Sequence, residues 1–222
     1  MDAKPEPLTI NVVSDVVCPW CYLGKRRLEA AIRESGEAPV TVRWRPFQLD
    51  PSLPPGGVER KAYMRAKFRD EAQLKAIHER LTAMGAEVGA AYAFDKIEWA
   101  PNTLDAHRLI RWAQAGDQQN ALVERLFRLY FEEGQNIGDR ATLIAAAREC
   151  GMDGDEVAKK LATDDDIEAV KADVAEAHAV GVTGVPFFIF ASRFAVPGAQ
   201  ATETLVEAIA QARAAKTGVE TV

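Results

Sequence analysis

The stretch Cys18-Pro19-Trp20-Cys21 restricts this chain more than any other part of it. It follows an apolar, strand-like run, Leu8 to Val13, and opens a helix with an apolar period. Residues at i and i+3 lie on neighbouring helix faces, so the two sulfurs can close a small disulfide loop. Unpaired N–H groups and the positive end of the macrodipole at a helix start favour thiolate over thiol. A strand must therefore deliver the chain to a helix mouth where sulfur chemistry takes place.

The helical period separates the two sulfurs. Cys21, Gly24, Leu28 and Ala31 recur at core-facing spacing. Cys18 falls above Tyr22, Lys25 and Glu29, a more polar face, at the N-terminus itself. Cys18 is thus expected to be the accessible nucleophile and Cys21 the shielded thiol that resolves a mixed disulfide. Pro19 suits the first helical turn, where its missing N–H has no partner. Trp20 offers a flat apolar lip beside Cys18. Lys25, two turns along, should aid a thiolate less than the helix end does.

Such a pair is also half of a zinc site, which needs about four ligands. The other candidates, Cys150, His78, His107 and His178, are scattered singly, so redox chemistry is favoured over metal binding or structural thiols. Cys150 shares a face with Leu143 and Ala147 in an expected helix ending at Gly151 and reads as a small buried hydrophobe. His78 reads as solvated and His178 as a packing residue near Val174.

The length of 222 residues suits one large domain or two interlocked ones. A formal net charge of −6 argues against a general binder of nucleic acid or anionic membranes. The start Met1-Asp2-Ala3-Lys4-Pro5-Glu6-Pro7 is unlike a secretion signal, and no apolar run approaches spanning length, so a cytoplasmic location is expected. In a reducing compartment the pair would rest mostly as the dithiol.

Along the chain, residues 8–14 read as a strand, 18–34 as a helix closed near Gly36, and Val40 to Pro46 as a half-buried strand. This βαβ unit implies two parallel strands with a right-handed crossover. Pro51, Pro54, Pro55, Gly56 and Gly57 mark a boundary. From Val58 to about Gly181 only amphipathic helices are evident, the one carrying Leu122, Val123, Leu126, Phe127 and Tyr130 being central. Thr163 and Asp164 to Asp166 sit where acids favour the first turn of the helix that starts at Ile167. Phe187 to Phe190 reads as a buried strand, Ala191-Ser192 as a tight turn, Arg193 to Val196 as a further strand, and Thr202 as the opening of a last helix. The expected architecture is α/β, residues 1–57 and 181–222 forming one discontinuous domain and 58–180 an all-helical insertion.

Pro186 heads the buried strand. A trans bond is the default; a cis Val185–Pro186 bond would leave the Val185 backbone free to hold an extended peptide or glutathione beside the sulfurs.

Together these features resemble the DsbA branch of the thioredoxin superfamily. Cys18 to Lys25, then Pro101-Asn102-Thr103-Leu104-Asp105-Ala106-His107-Arg108-Leu109, then Gly184-Val185-Pro186-Phe187-Phe188 resemble its cytoplasmic FrnE-like group, over about residues 8–212. The resemblance implies a thioredoxin-like βαβ…ββα fold with a large helical insertion. It implies a protein-disulfide oxidoreductase with catalytic Cys18 and Cys21, and with Pro19, Trp20, Val185, Pro186 in the cis form, and His107 as substrate-binding residues. His107 lies off the apolar stripe of its helix, and polar surface is the alternative place for it.

The resemblance also implies no tightly bound cofactor and no metal, glutathione as a redox partner, and protein or small-molecule substrates carrying a thiol or disulfide. It admits a homodimer, which no unpaired apolar stripe compels. A second cysteine pair found C-terminally in some FrnE-like proteins has no counterpart after Cys150. The alternative function is a glutathione-dependent isomerase or transferase acting on a hydrophobic small molecule. The related kappa transferases and 2-hydroxychromene-2-carboxylate isomerases carry serine in place of Cys18 and a Ser-Asp pair where this chain has Ala199-Gln200.

Overall fold

The computed structural model describes residues 7–217 apart from residues 37, 69 and 117. The start at residues 1–6, read above for targeting, lies outside the described residues. Strand β1 (Leu8–Ser14) leads to helix α1 (Pro19–Glu34) and strand β2 (Val40–Pro46). Then come β3 (Val58–Glu59), α2 (Arg60–Lys67), α3 (Glu71–Val88) and β4 (Trp99–Ala100). Helices α4 (Leu104–Ala113), α5 (Gln119–Phe131), α6 (Arg140–Glu149), α7 (Gly154–Leu161) and α8 (Ile167–Ala179) follow. The chain closes with β5 (Phe187–Phe190), β6 (Phe194–Pro197) and α9 (Thr202–Thr217).

The main sheet has the order β2-β1-β5-β6. β1 and β2 run parallel, Leu8 opposite Val40, as a helical crossover requires. β5 runs antiparallel to both β1 and β6, with Val12 opposite Phe188 and Phe188 opposite Val196. Ala191 and Ser192 take positive φ, 49° and 56°, which gives the hairpin the twist its strands need. This is an α/β thioredoxin-like fold with a helical insertion between β4 and β5.

Alternation along the strands divides the core. Leu8, Ile10, Val12, Phe188 and Phe190 join α1, α9 and the inserted helices in one apolar cluster. Val13, Phe187 and Ile189 turn the other way, toward Ala177 and Val182. β5 is consequently buried at alternate residues, where the apolar run alone suggested burial throughout. β2 is an edge strand, and Gln119 of α5 covers it. The Gln119 side chain accepts from the Trp44 N–H at 2.9 Å and donates to the Trp44 carbonyl at 3.2 Å.

The segment from Val58 is not wholly helical. β3 and β4 form a short antiparallel ribbon, Val58 opposite Ala100, too brief for alternation to reveal. Asp166 does not cap α8 with its side chain; at φ 60° it accepts from the Trp112 indole at 2.8 Å and pairs with Arg111, tying α8 to α4. Arg108 is fully buried and donates to the carbonyls of Lys160, Thr163 and Asp165 at 2.7–2.8 Å.

The face of α1 above Cys18 is covered rather than solvated. Tyr22 stacks on Phe127 at 5.1 Å, and Lys25, 1% exposed, pairs with Glu29 and, at 2.7 Å, with Glu124. Such stacked rings contribute roughly 0.5–1.5 kcal/mol beyond their buried area. The polar pattern on α1 therefore marks contact with α5.

Candidate active site

After β1 the chain turns so that the Cys18 N–H donates to the Asp15 carbonyl at 3.0 Å. Cys18 is the residue capping α1, with φ −87° and ψ 113°, and Pro19 occupies the first turn. The Cys18 carbonyl accepts the Cys21 N–H at 3.0 Å, which closes that turn. The Cys18 sulfur is thus left at the helix mouth, committed to no cap hydrogen bond.

The Val185–Pro186 peptide bond is cis, and the Val185 carbonyl lies 3.6 Å from the Cys18 Sγ, on the acceptor side of a thiol hydrogen bond. The Pro186 carbonyl accepts the Gly198 N–H at 2.8 Å, fixing this loop to β6. Pro186 packs against α1 at Gly24, where a Cβ would come within 2.9 Å of the proline Cγ. Only glycine lets helix and loop approach this closely.

Both cysteines are buried, Cys18 at 4% exposure and Cys21 at 0%, and all three cysteines are free thiols. The expected accessibility of Cys18 is corrected: α2 and α3 stand over it, and it is reached through a cavity. Burial pushes the Cys21 thiol well up, and the Cys18 sulfur facing it adds to the shift; the Ser14 hydroxyl and the Asp15 backbone oppose it. One sulfur therefore lines a cavity while the other is sealed beneath it.

That cavity, about 390 Å³, is bounded by Cys18, Pro19, Trp20 and Val185 on one side and by α2 and α3 on the other. Its volume falls within the range of small-molecule sites. The Tyr92 hydroxyl donates to the Pro19 carbonyl at 2.6 Å and orients the turn. Burial first, then the charge of nearby Cys18, moves the Tyr92 hydroxyl far above the ordinary tyrosine range, so it remains a donor. Arg80 lies 5.8 Å above the Trp20 ring.

His107 is not on the wall of this cavity. It is buried on α4, with Nε2 3.3 Å from the Asp15 Oδ1, and Asp15 in turn reaches the cavity. The sequence placed His107 off the apolar stripe, but a buried carboxylate, rather than the cleft, takes up its ring nitrogen. His78 is half-buried rather than fully solvated: it stacks on Phe94 at 4.1 Å and faces the cavity. Burial, with Arg60 beside it, lowers its basicity. His178 packs on Phe47 at 4.7 Å. Cys150 ends α6 half-buried rather than in the core.

Sequence reasoning missed Asp15, Tyr92 and Arg60, each on a different element and with no motif to join them. Among the described residues no cluster of three or more histidine, cysteine or acidic side chains is set to hold a metal. Among them too, no helix is long and apolar enough to cross a membrane.

The profile of the DSBA-like thioredoxin domain matches residues 9–210. YwbO of Bacillus subtilis, an uncharacterized protein, is 32% identical over 208 residues, covering 90% of this chain and 94% of that protein. The crystal structure of a probable DsbA oxidoreductase, SCO1869 of Streptomyces coelicolor, superposes with a TM-score of 0.84 at 32% identity, covering 97% of this chain and 92% of that one. The cytosolic disulfide reductase DsbM of Pseudomonas aeruginosa, solved with GSH, shares the fold at a TM-score of 0.62 and 20% identity, over 95% of this chain and 98% of its own. With its cysteine pair at the mouth of α1 beside a cis proline, the chain belongs to the DSBA-like thioredoxin-domain family of oxidoreductases.

Proposed function

We propose that the protein is a thiol–disulfide oxidoreductase of the FrnE-like group, with Cys18 as attacking sulfur and Cys21 as resolving sulfur. The observation that carries this reading is the Cys18 Sγ at the helix mouth, facing the Val185 carbonyl on one side and the sealed Cys21 on the other. The Cys18 thiolate attacks a substrate disulfide and expels one thiolate. Cys21 then loses its proton, attacks the Cys18 sulfur and releases the second. The pair ends as a disulfide, oxidised by two electrons, while the substrate ends as two thiols. A low-molecular-weight thiol such as glutathione resets the pair, and the reverse sequence oxidises a substrate dithiol.

Reaction of the reduced protein with glutathione disulfide tests this. Mass spectrometry should find a Cys18–Cys21 disulfide in the parent and glutathione held on Cys18 in Cys21→Ser. Glutathione on Cys150 alone, with Cys18 unmodified, would overturn the assignment. The apolar cavity favours a second reading, a glutathione-dependent isomerase or transferase, which would survive Cys21→Ser because it needs no resolving sulfur.

A further inference from the structure

We propose that the disulfide this site takes is a small molecule with an aromatic or otherwise apolar body and a carboxylate, and that Arg60 receives the carboxylate. The inference rests on the exchange reading above and specifies its substrate. Three observations carry it.

Access is the first. At 4% exposure Cys18 offers little surface to a disulfide carried on a folded protein. Its approach is the cavity of about 390 Å³, roofed by α2 and α3, which matches a small ligand in volume.

Lining is the second. Trp20, Leu53, Met64, Phe68, Ile77 and Leu81 give the walls an apolar character. Such walls favour a ligand with apolar area to bury and give little to a purely polar disulfide.

Charge is the third. Arg60 is the first residue of α2, and its backbone N–H donates to the Glu98 carbonyl at 2.8 Å, so its position is set by the β3–β4 ribbon. Its guanidinium reaches the Phe94 carbonyl and His78 Nε2 only at 3.5 Å, and faces the Tyr130 hydroxyl. Among the described residues no carboxylate pairs with it, although it stands on the cavity wall. The other wall charges are engaged. Asp15 accepts the Leu49 N–H and meets His107, Asp50 accepts from Ser52, and Lys67 donates to Tyr63. A guanidinium with unused donors in a largely apolar space is suited to a carboxylate.

The reaction is the exchange already described: Cys18 takes one half of the disulfide as a mixed disulfide and Cys21 releases it as a thiol. Arg60 holds the carboxylate in both steps and is a binding residue, with no part in the sulfur chemistry.

The test is single-turnover reaction of the reduced protein with four disulfides: dithiobis(nitrobenzoate), which is aromatic with carboxylates; dithiodipyridine, aromatic without them; glutathione disulfide, carboxylate-bearing without an apolar body; and insulin. Each rate is divided by that of the same disulfide with free N-acetylcysteine, which removes leaving-group differences. The aromatic dicarboxylate should react fastest on this scale and saturate. Arg60→Gln should weaken its half-saturation by about tenfold to a hundredfold, the scale of one lost charge-assisted hydrogen bond. Dithiodipyridine should be unaffected, and Arg60→Lys should restore part of the loss.

Equal normalised rates for all four, or equal slowing of both aromatic disulfides by Arg60→Gln, would overturn the inference while leaving the exchange reading intact. Exchange with none of them would overturn both. A measurement on the parent needs no variant: nitrobenzoate should protect Cys18 from iodoacetamide better than nitrobenzamide does, and equal protection would count against Arg60.

Discussion

Gly24 lies directly against Pro186, so a methyl group on its Cα would stand 2.9 Å from the proline Cγ and 3.1 Å from the Phe188 Cζ. In this way one missing side chain on α1 sets how near the Val185 carbonyl comes to Cys18. Neither neighbour yields readily, since the pyrrolidine is a ring and Phe188 is fully buried.

Gly24→Ala should therefore destabilise the protein. Alanine improves helix propensity by about 1 kcal/mol, but overpacking costs roughly 1–3 kcal/mol, so the clash prevails. Denaturant midpoints check this, and Cys18 alkylation in the variant should differ from the parent because the loop facing it is displaced. A more stable variant with unchanged alkylation would refute the close-packing argument.

The second step of exchange should speed up with pH. Burial, and then the facing Cys18 sulfur, keep the Cys21 thiol protonated above the ordinary thiol range. A Cys18 sulfur bound in a mixed disulfide can carry no charge, so burial is what remains to hold the Cys21 proton. Below the resulting pKa, the Cys21 thiolate fraction rises about tenfold per pH unit. Stopped-flow decay of the mixed disulfide across neutral to alkaline pH should follow that slope; a flat profile would mean a base takes the proton.

Arg108→Met should cost about 3–5 kcal/mol, because it removes a buried guanidinium and takes its donors away from the Thr163 and Asp165 carbonyls and the Asp105 carboxylate, while the Lys160 carbonyl keeps Thr163 as a donor. The parent side chain bonds to Lys160, Thr163 and Asp165 carbonyls and to the Asp105 carboxylate. Urea denaturation measures the loss, and a near-neutral result would show that water replaces the guanidinium.

Acid should weaken the seam between α1 and α5 through Glu132. Burial opposes its ionisation, but the Tyr22 hydroxyl at 2.6 Å, the Ala91 N–H and Arg128 outweigh burial and hold the carboxyl below its usual range. A depressed acid stabilises fully above its unfolded pKa, ~4.3, and this is lost as pH falls through the lower folded value. Glu132→Gln should thus cost stability at neutral pH and progressively less as the solution is acidified. Urea midpoints of parent and variant that stay equally separated down to acid would contradict this.

Much of the fold was legible because its signals are local. Alternation in Val40 to Trp44, the period of Cys21, Gly24, Leu28 and Ala31, and the turn at Ala191-Ser192 each lie within a few residues. β3 and β4 were not legible, since a two-residue strand exists only through its partner forty residues away.

The opening strand, helix and strand, the closing hairpin and helix, and the place of the cysteine pair at the mouth of α1 follow from the sequence alone, because each is written within a few neighbouring residues. Tertiary structure decided what surrounds that pair. A polar stripe reads as solvated until its partner is known, and only folding shows that Tyr22 and Lys25 face α5 and Glu124. Likewise only folding encloses Cys18, directs His107 to Asp15 and leaves Arg60 without a carboxylate among the described residues. Each of these depends on contacts distant in sequence, which no local pattern records.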